Sequence, residues 1–541
     1  MASLKTGEHM KRPVGLSFAV LSLAGVGLMV APTSAQTQNG PEVVYEIYHD
    51  TSRPVREYPS PLPTAAPALR VRPLPRRVLP GAALAQADAV EQTFALPPVS
   101  ATISHNFDGM PDSANGALGG VPPDENLSVG ATQVVEVINT AYQVFNKSGV
   151  SVQAPKQISS IFTGMSGLCG QGASSPNYTD PIVLYDKKAG RWFIAIVTGN
   201  NTFSTGNECI AVSSTSDATG TYHRYAFSFG PNVFNDYDKF GVWPDAYYGA
   251  YNLFSPTRFL EAEVCAYQKS AMLAGTAAKV MCFTEKNEFS FLPSDLDGAT
   301  APPTGEPNFF VDLFSTSALH LFKFHVDFTT PGNSKFTGPI AIAVTPFTQA
   351  CAATGTCIPQ PGVPDQLDSL GDRLMFRLAY RKFATHESLV VNHAAKTSGA
   401  ASGVRWYEIR SPNTTPVVFQ HGTLASGGTS LWMGSIAMDK LGDIALGFSE
   451  SSSTLHPSIA FTGRVPSDPA GTMESIANIF TGKGSQTGGT ANGSNRWGDY
   501  SGLAIDPSND CTFWYVNEYI PSNGSFNFHT RIASFKFPSC I

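Results

Sequence analysis

An all-β fold is predicted by three features of the sequence. From residue 101 onward, short runs rich in Val, Ile, Phe and Tyr alternate with Gly, Pro, Asn and Asp, the texture of strands joined by turns. Phe 35 and Tyr 18 are numerous, and the long Ala/Glu/Lys/Leu stretches of coiled coils are missing. A strand–turn–strand unit then recurs. One copy runs from Asp180 through Asp186 to Val197, a second from Gly434 through Asp439 to Phe448, and a third from Asp499 through Asp506 to Val516. In each, the turn opens on an Asp whose carboxylate can accept a backbone N–H two residues on. Asp186, Asp439 and Asp506 are therefore read as structural.

Looser copies begin near Asp124, Trp243 and Asp372. The starts at 124, 180, 243, 372, 434 and 499 are separated by 56, 63, 129, 62 and 65 residues. A degenerate unit near Phe309–Phe328 fills the double gap, which makes seven units of about 63 residues over 101–541. An even period with several strands per unit predicts a seven-bladed β-propeller. A pair of β-sandwiches would share the texture but not the period. The last unit is short, and a strand near Ile103–Phe107 is expected to complete it and close the ring.

The N-terminal regions are of a different kind. Lys11 and Arg12 precede an apolar run from Val14 to Val30, and Thr33-Ser34-Ala35 offers a small-residue cleavage site. Residues 1–35 are thus expected to be a signal peptide, and the protein to be secreted, to the periplasm or beyond. Cleavage after Ala35 would leave 506 residues and move the formal charge from −7 to −9. Residues 36–100 are expected to be a Pro/Arg-rich linker or pro-segment: between Thr51 and Pro80 there are 8 prolines and six arginines. Such a stretch has little with which to build a core, and it is expected to tolerate trimming.

The eight cysteines suit export. They show neither CxxC nor the Cys/His spacing of a zinc site. Each falls near its sequence neighbour, so sequential pairing is expected: 169 with 209, 265 with 282, 351 with 357, and 511 with 540. Charged residues are only 14% and the net charge is −7, which argues against nucleic acid as a partner, because phosphate binding needs clustered Lys and Arg. No run after the signal peptide is long and apolar enough for a membrane span.

Several phrases are more particular than generic strand texture. They include Pro122-Pro-Asp-Glu-Asn, Phe240-Gly-Val-Trp-Pro-Asp-Ala-Tyr-Tyr, Arg373-Leu-Met-Phe-Arg-Leu-Ala-Tyr-Arg, His386-Glu-Ser-Leu-Val-Val-Asn-His393, Gly403-Val-Arg-Trp-Tyr-Glu, Trp432-Met-Gly-Ser-Ile-Ala-Met-Asp and Arg496-Trp-Gly-Asp-Tyr-Ser. Together, over residues 104–541, they resemble a widespread, largely uncharacterised family of secreted bacterial β-propeller-like proteins. The resemblance implies secretion and β-architecture. It brings no catalytic residues with it.

Chemistry is expected where inner strands begin. Asp124, Asp180, Asp245, Asp372 and Asp499 recur at or just before the first strand of five units, which would gather carboxylates at a channel mouth. Such a cluster is costly unless a cation, an Arg or a polyhydroxyl ligand satisfies it. Arg373 and Arg496 stand beside two of the five as counter-ions. Paired carboxylates are what glycosidic cleavage needs, one ionised and one held protonated. Tyr178-Thr-Asp180-Pro and Trp243-Pro-Asp245 look somewhat like the inner-strand Asp motifs of propeller glycosidases. Glu387 and Glu518, in or beside apolar strands, are candidate proton donors. Trp243, Trp432 and Trp497 are candidate platforms for sugar rings. The competing reading is scaffolding: a repeated Asp ties a turn, and a repeated Trp fills space between blades.

His386 and His393 are seven apart, on opposite faces of a regular strand, so joint metal ligation would require a bend. No GxSxG, HExxH, P-loop or dinucleotide fingerprint is present. No cofactor is required, and an acidic secreted protein admits Ca²⁺ in a turn or in the channel. Residues 482–493, rich in Gly, Thr and Ser, are expected to form a flexible loop over the pocket. The function expected is that of a secreted carbohydrate-active protein, with glycoside hydrolysis by rim carboxylates. The alternative is a non-catalytic propeller that binds an extracellular glycan or cell-surface component.

Overall fold

The computed structural model describes residues 40–59, 75–82, 87–118, 121–171, 177–488 and 495–541. The expected signal peptide and part of the loop over the pocket lie outside them. Among the described residues seven four-stranded antiparallel blades follow one another along the chain, the fourth and fifth joined in one continuous sheet. Their inner strands are Asn126–Val129, Tyr178–Asp186, Phe234–Val242, Leu292–Asp297, Met375–Lys382, Ser430–Met438 and Gly502–Ile505. Each lies beside the next, and the seventh returns to the first, which closes a ring. Inner strands four and five even pair in parallel, Ser294 opposite Leu378, so inner strands run in one direction and their N-termini share one face.

The expected closure is present. Thr102–Pro111 is the outermost strand of blade seven, paired with His529–Lys536 from Thr102↔Lys536 to Pro111↔His529. All four expected disulfides form: Cys169–Cys209, Cys265–Cys282, Cys351–Cys357 and Cys511–Cys540. The turn aspartates behave as read. Asp186, Asp439 and Asp506 accept the amides of Ala189 (3.0 Å), Leu441 (2.8 Å) and Ser508 (2.9 Å).

Apolar side chains fill the spaces between blades. Phe193 of blade two packs on Phe240 and Tyr247 of blade three, with ring centroids 5.0 and 4.7 Å apart. Fully burying one such ring contributes about 1.5–3 kcal/mol, so these contacts, repeated round the ring, fix blade against blade.

Two expectations are corrected. The third unit starts at Phe234, not Trp243, and blade four starts at Leu292; Phe309–Phe328 covers its second and third strands. The described parts of region 36–100 are no free spacer. Glu42–Tyr45 and Tyr48–Thr51 are fifth strands on blades three and two, and Glu91–Gln92 pairs with Thr423 and Leu424 of blade five. Two of its charged side chains find buried partners. Arg405 meets Asp88 at 2.9 Å, and Arg76 meets Asp368 at 2.5 Å.

Candidate functional site

Three inner strands carry the same bulge near their start. Asp180-Pro181 opposes only Ile196, Tyr237-Asp238 only Tyr251, and Met433-Gly434 only Phe448. Pro181 has no N–H to give a ladder, which suits a bulge. The first bulge residue is left-handed each time, with φ of 56° at Asp180, 58° at Tyr237 and 48° at Met433. Asp tolerates that conformation, while Tyr and Met are strained in it. Such bulges bend a strand and re-aim its side chains at functional or structural centres.

Of the five aspartates expected to gather, Asp124, Asp180, Asp372 and Asp499 lie at this end of the channel. Asp124 Oδ1 accepts the Asp499 amide at 2.7 Å, and Asp124 Oδ2 accepts Asn139 Nδ2 at 2.5 Å. Asn139 Oδ1 in turn accepts the Asp180 amide at 2.8 Å, and Asp180 Oδ2 the Tyr237 amide at 3.2 Å. The chain of bonds runs from blade seven through one and two to three, so Asp124 and Asp180 tie these four blades together at the mouth. Asp236, Asp238 and Glu208 join them. Lys239 is boxed between the Tyr237 and Tyr500 rings, at 3.7 and 4.1 Å from their centroids, and donates to the Asp238 carbonyl at 2.7 Å. Arg496 pairs with Asp499. Arg373 is bidentate to Asp372 at 2.8 and 3.0 Å and lies 4.8 Å from the Tyr237 ring.

Burial controls the electrostatics. Asp124 is 1% exposed, Asp180 5%, Asp499 1%, and Asp238, Glu208 and Lys239 0%. Burial, with the Asp499 and Asp180 carboxylates, pushes Asp124 well above the ordinary carboxyl range. Burial and Asp236 raise Asp180. Burial raises Asp238 and Glu208 far up despite Lys239, whose own value burial lowers. Two cations, Lys239 and Arg496, face Asp124, Asp180, Asp236, Asp238, Glu208 and Asp499, so part of the cluster holds protons at neutral pH. Burial works against ionisation of Asp372 too, yet Arg373 wins and holds that carboxyl low.

Glu518, from the second strand of blade seven, belongs to this end. Its Oε1 accepts the Gly498 amide at 2.6 Å, and burial with the Asp499 charge raises its carboxyl to about 8. A Cβ at Gly498 would lie 2.8 Å from Glu125 Oε2, so glycine alone lets these carboxyls approach the chain so closely.

Other candidates are placed elsewhere or differently. Asp245 sits exposed in the hairpin turn after the inner strand of blade three, at the opposite end of the channel, within 3.3 Å of the Tyr248 hydroxyl. The shift in blade start moved it there. Trp243 is 1% exposed, 4.7 Å from the Tyr380 ring, with its indole N–H on the Glu306 carbonyl. Glu387 is half-buried and accepts the Tyr380 hydroxyl at 2.5 Å. Trp432 and Trp497 are 0% and 1% exposed and pack on each other at 5.7 Å, inside an apolar layer with Leu370, Met375 and Met433. None of the three tryptophans has a face free for a sugar. His393 is neutral and buried, its pKa pushed down to about 3 by burial and Arg405, with Nε2 2.9 Å from the Tyr407 hydroxyl.

The sequence reading missed Asp236, Asp238, Lys239 and Glu208. Asp180 follows Asp124 by 56 residues, and the same step from Asp180 lands on Asp236; that register would have led to the segment. Near the mouth an open cavity of about 170 Å³ is lined by Arg76, Arg77, residues 349–355, Asp368 and Asp372. At the other end, Arg377 fills the channel, bonded to Asp295 at 2.9 Å and Asp297 at 2.5 Å beside a cavity of about 30 Å³.

No protein-family model and no curated protein matches the sequence. Among solved structures, a Penicillium chrysogenum alpha-L-arabinanase complexed with arabinobiose is similar at TM-score 0.38 and 8% identity, over 81% of this chain and 100% of that one. A Hadza microbial sialidase gives 0.35 and 9%, over 76% and 74%, and the WD40 domain of SCAP from fission yeast 0.33 and 9%, over 75% and 82%. Superpositions this loose carry no argument about activity. The propeller rests on the sheet topology itself. Among the described residues no helix is long and apolar enough to cross a membrane.

Proposed function

We propose that this chain is a secreted propeller, of the bacterial family its phrases resemble, that binds an extracellular glycan or other cell-surface component without cleaving it. One observation carries the reading: the converging carboxylates are sealed under side chains and used as inter-blade ties. A general acid and a nucleophile must both reach the glycosidic bond. Here Asp124, Asp180, Asp499 and Glu518 all face one another and none is more than 5% exposed. Binding falls to the mouth-side cavity, where the partly exposed Arg76 and Arg77 side chains stand ready for a polyhydroxyl ligand. Four disulfides fit an extracellular setting.

Hydrolysis is the second reading, favoured by Glu518, a carboxyl raised to about 8 beside Asp499. A glycan array probed with the mature protein, followed by product analysis of each retained glycan, separates the two. Retention without released sugar is expected. Released sugar that disappears in Glu518→Gln would replace the binding reading with the hydrolytic one.

A further inference from the structure

Blade four holds a second buried cluster, away from the channel. Its middle strands, Asn308–Ser315 and Ala318–His325, place Asp312 directly opposite His320. Residues directly opposite on adjacent strands share a face, with Cβ atoms about 4.5–5.5 Å apart. Glu288, in the connection leading to the inner strand, closes the third side: its Oε1 lies 2.9 Å from His320 Nδ1. One donor atom from each of the three residues falls within 4.8 Å of the others. The Phe314 ring stacks on the imidazole, centroid to centroid 3.7 Å and 12° from parallel, which fixes its plane.

The cluster is left electrostatically incomplete. Asp312 is 0% exposed, and neither carboxylate oxygen has a hydrogen-bond partner among the described residues; Glu288 Oε2 is in the same condition. The Phe289 amide and the Glu288 carboxyl lie close enough to act on the Asp312 carboxyl, the first favouring its charge and the second opposing it, but neither meets it at good hydrogen-bond geometry. Arg77 stands off at 3.9 Å, its guanidinium committed to the Leu313 carbonyl. A buried carboxylate without donors is costly. Burial and the neighbouring Glu288 charge accordingly push Asp312 far above its ordinary range.

We propose that Glu288, Asp312 and His320 bind a divalent transition-metal ion, of which Zn²⁺ is the probe that best matches their donors. Two carboxylates and an imidazole are a nitrogen–oxygen set of the kind Zn²⁺ and its first-row neighbours take, with no thiolate and too few oxygens for Ca²⁺. Ligand bonds of about 2.0–2.2 Å in a tetrahedral set put neighbouring donor atoms about 3.4 Å apart, so the ion would replace the 2.9 Å hydrogen bond between His320 Nδ1 and Glu288 Oε1 by moving the two atoms only slightly apart. The imidazole keeps 10% of its surface open, which gives the ion a way in. Binding releases whatever proton His320 Nδ1 or the carboxyl pair holds, and no bond other than coordination forms. The ligands are 24 and 8 residues apart and lie on three elements, so no metal motif can be read along the chain.

The test uses the full mature protein, stripped with a chelator and titrated with Zn²⁺ alone. One equivalent is expected to bind, with a rise in Tm. X-ray absorption of the Zn²⁺-loaded wild type is expected to show a nitrogen–oxygen shell containing one imidazole. His320→Gln and Asp312→Asn are each expected to weaken binding by about 100-fold, the upper end of losses seen even for groups that merely support metal ligands. The alternative for this cluster is a carboxyl pair sharing one proton, in which case wild type binds no Zn²⁺ and its Tm does not move. That result overturns the proposal. So does a shell with no imidazole or more than one, or a His320→Gln protein that binds as tightly as wild type. The wild-type titration and absorption spectrum decide the matter even where a variant does not fold.

Discussion

Glu518 shows how a single side chain at the channel mouth sets a pH response. Its carboxyl is 0% exposed and raised from 4.5 to about 8. The folded chain therefore holds a proton, between those values, that the unfolded chain releases. The stabilisation is whole below about pH 4.5, declines as pH rises, and is gone above about pH 8, with a slope of up to about 1.4 kcal/mol per pH unit. Glu263 and Glu136, raised by burial to about 8 and about 7, add slopes of the same sign. Denaturant unfolding from pH 5 to 8 should thus show falling stability. Glu518→Gln, neutral throughout, is expected to flatten the curve by one group's share; an unchanged slope would mean that Glu518 is ionised in the folded protein.

At the scale of elements, the outer belt has the clearest consequence. Residues 40–59 add two strands to blades two and three, and the segment around residue 76 bonds to the loops over the mouth. The Arg77 amide reaches Asp372 at 2.7 Å, and the Pro75 carbonyl accepts Arg373 at 2.9 Å. A chain beginning at residue 101 loses these together with the buried Asp88–Arg405 pair, whose removal from one side alone typically costs about 3–5 kcal/mol. It is expected to melt well below the mature protein in a thermal scan, and an equal Tm would show the belt to be idle. Proline content misled here, because Pro excludes central strands but not edge strands or straps. The blade period was legible because the Asp turns recur in every good copy. The bulges were not: a left-handed Tyr237 or Met433 contradicts local preference and is enforced by packing, so the third start was displaced and Asp238 and Lys239 dropped out of the site. Burial of Trp432 and Trp497 was equally hidden, since a tryptophan that packs between blades and one that receives a sugar look alike in sequence.

For the molecule as a whole, the disulfides should differ in worth according to the loop each closes. Cys511–Cys540 spans 29 residues and Cys351–Cys357 only 6. Constraint of the unfolded chain predicts losses of about 3.5 and about 2 kcal/mol respectively when each pair is changed to Ser. Paired equilibrium unfolding curves check the order, and a reversed order would show that local geometry outweighs chain entropy.

The ring closure also governs when the protein can exist at all. The strand beginning at Thr102 pairs with the strand ending at Lys536, so one segment must wait for another that is made much later. While the ribosome is still adding residues, blade seven has no outer strand and blade one no seventh neighbour. Contacts of such long sequence separation form slowly, and the waiting edges are open to pairing with the wrong chain. A premature stop that removes only the stretch from His529 to the C-terminus would leave Thr102–Pro111 without its partner and Cys511 without Cys540. Loss of that one strand should therefore forfeit closure of the whole ring.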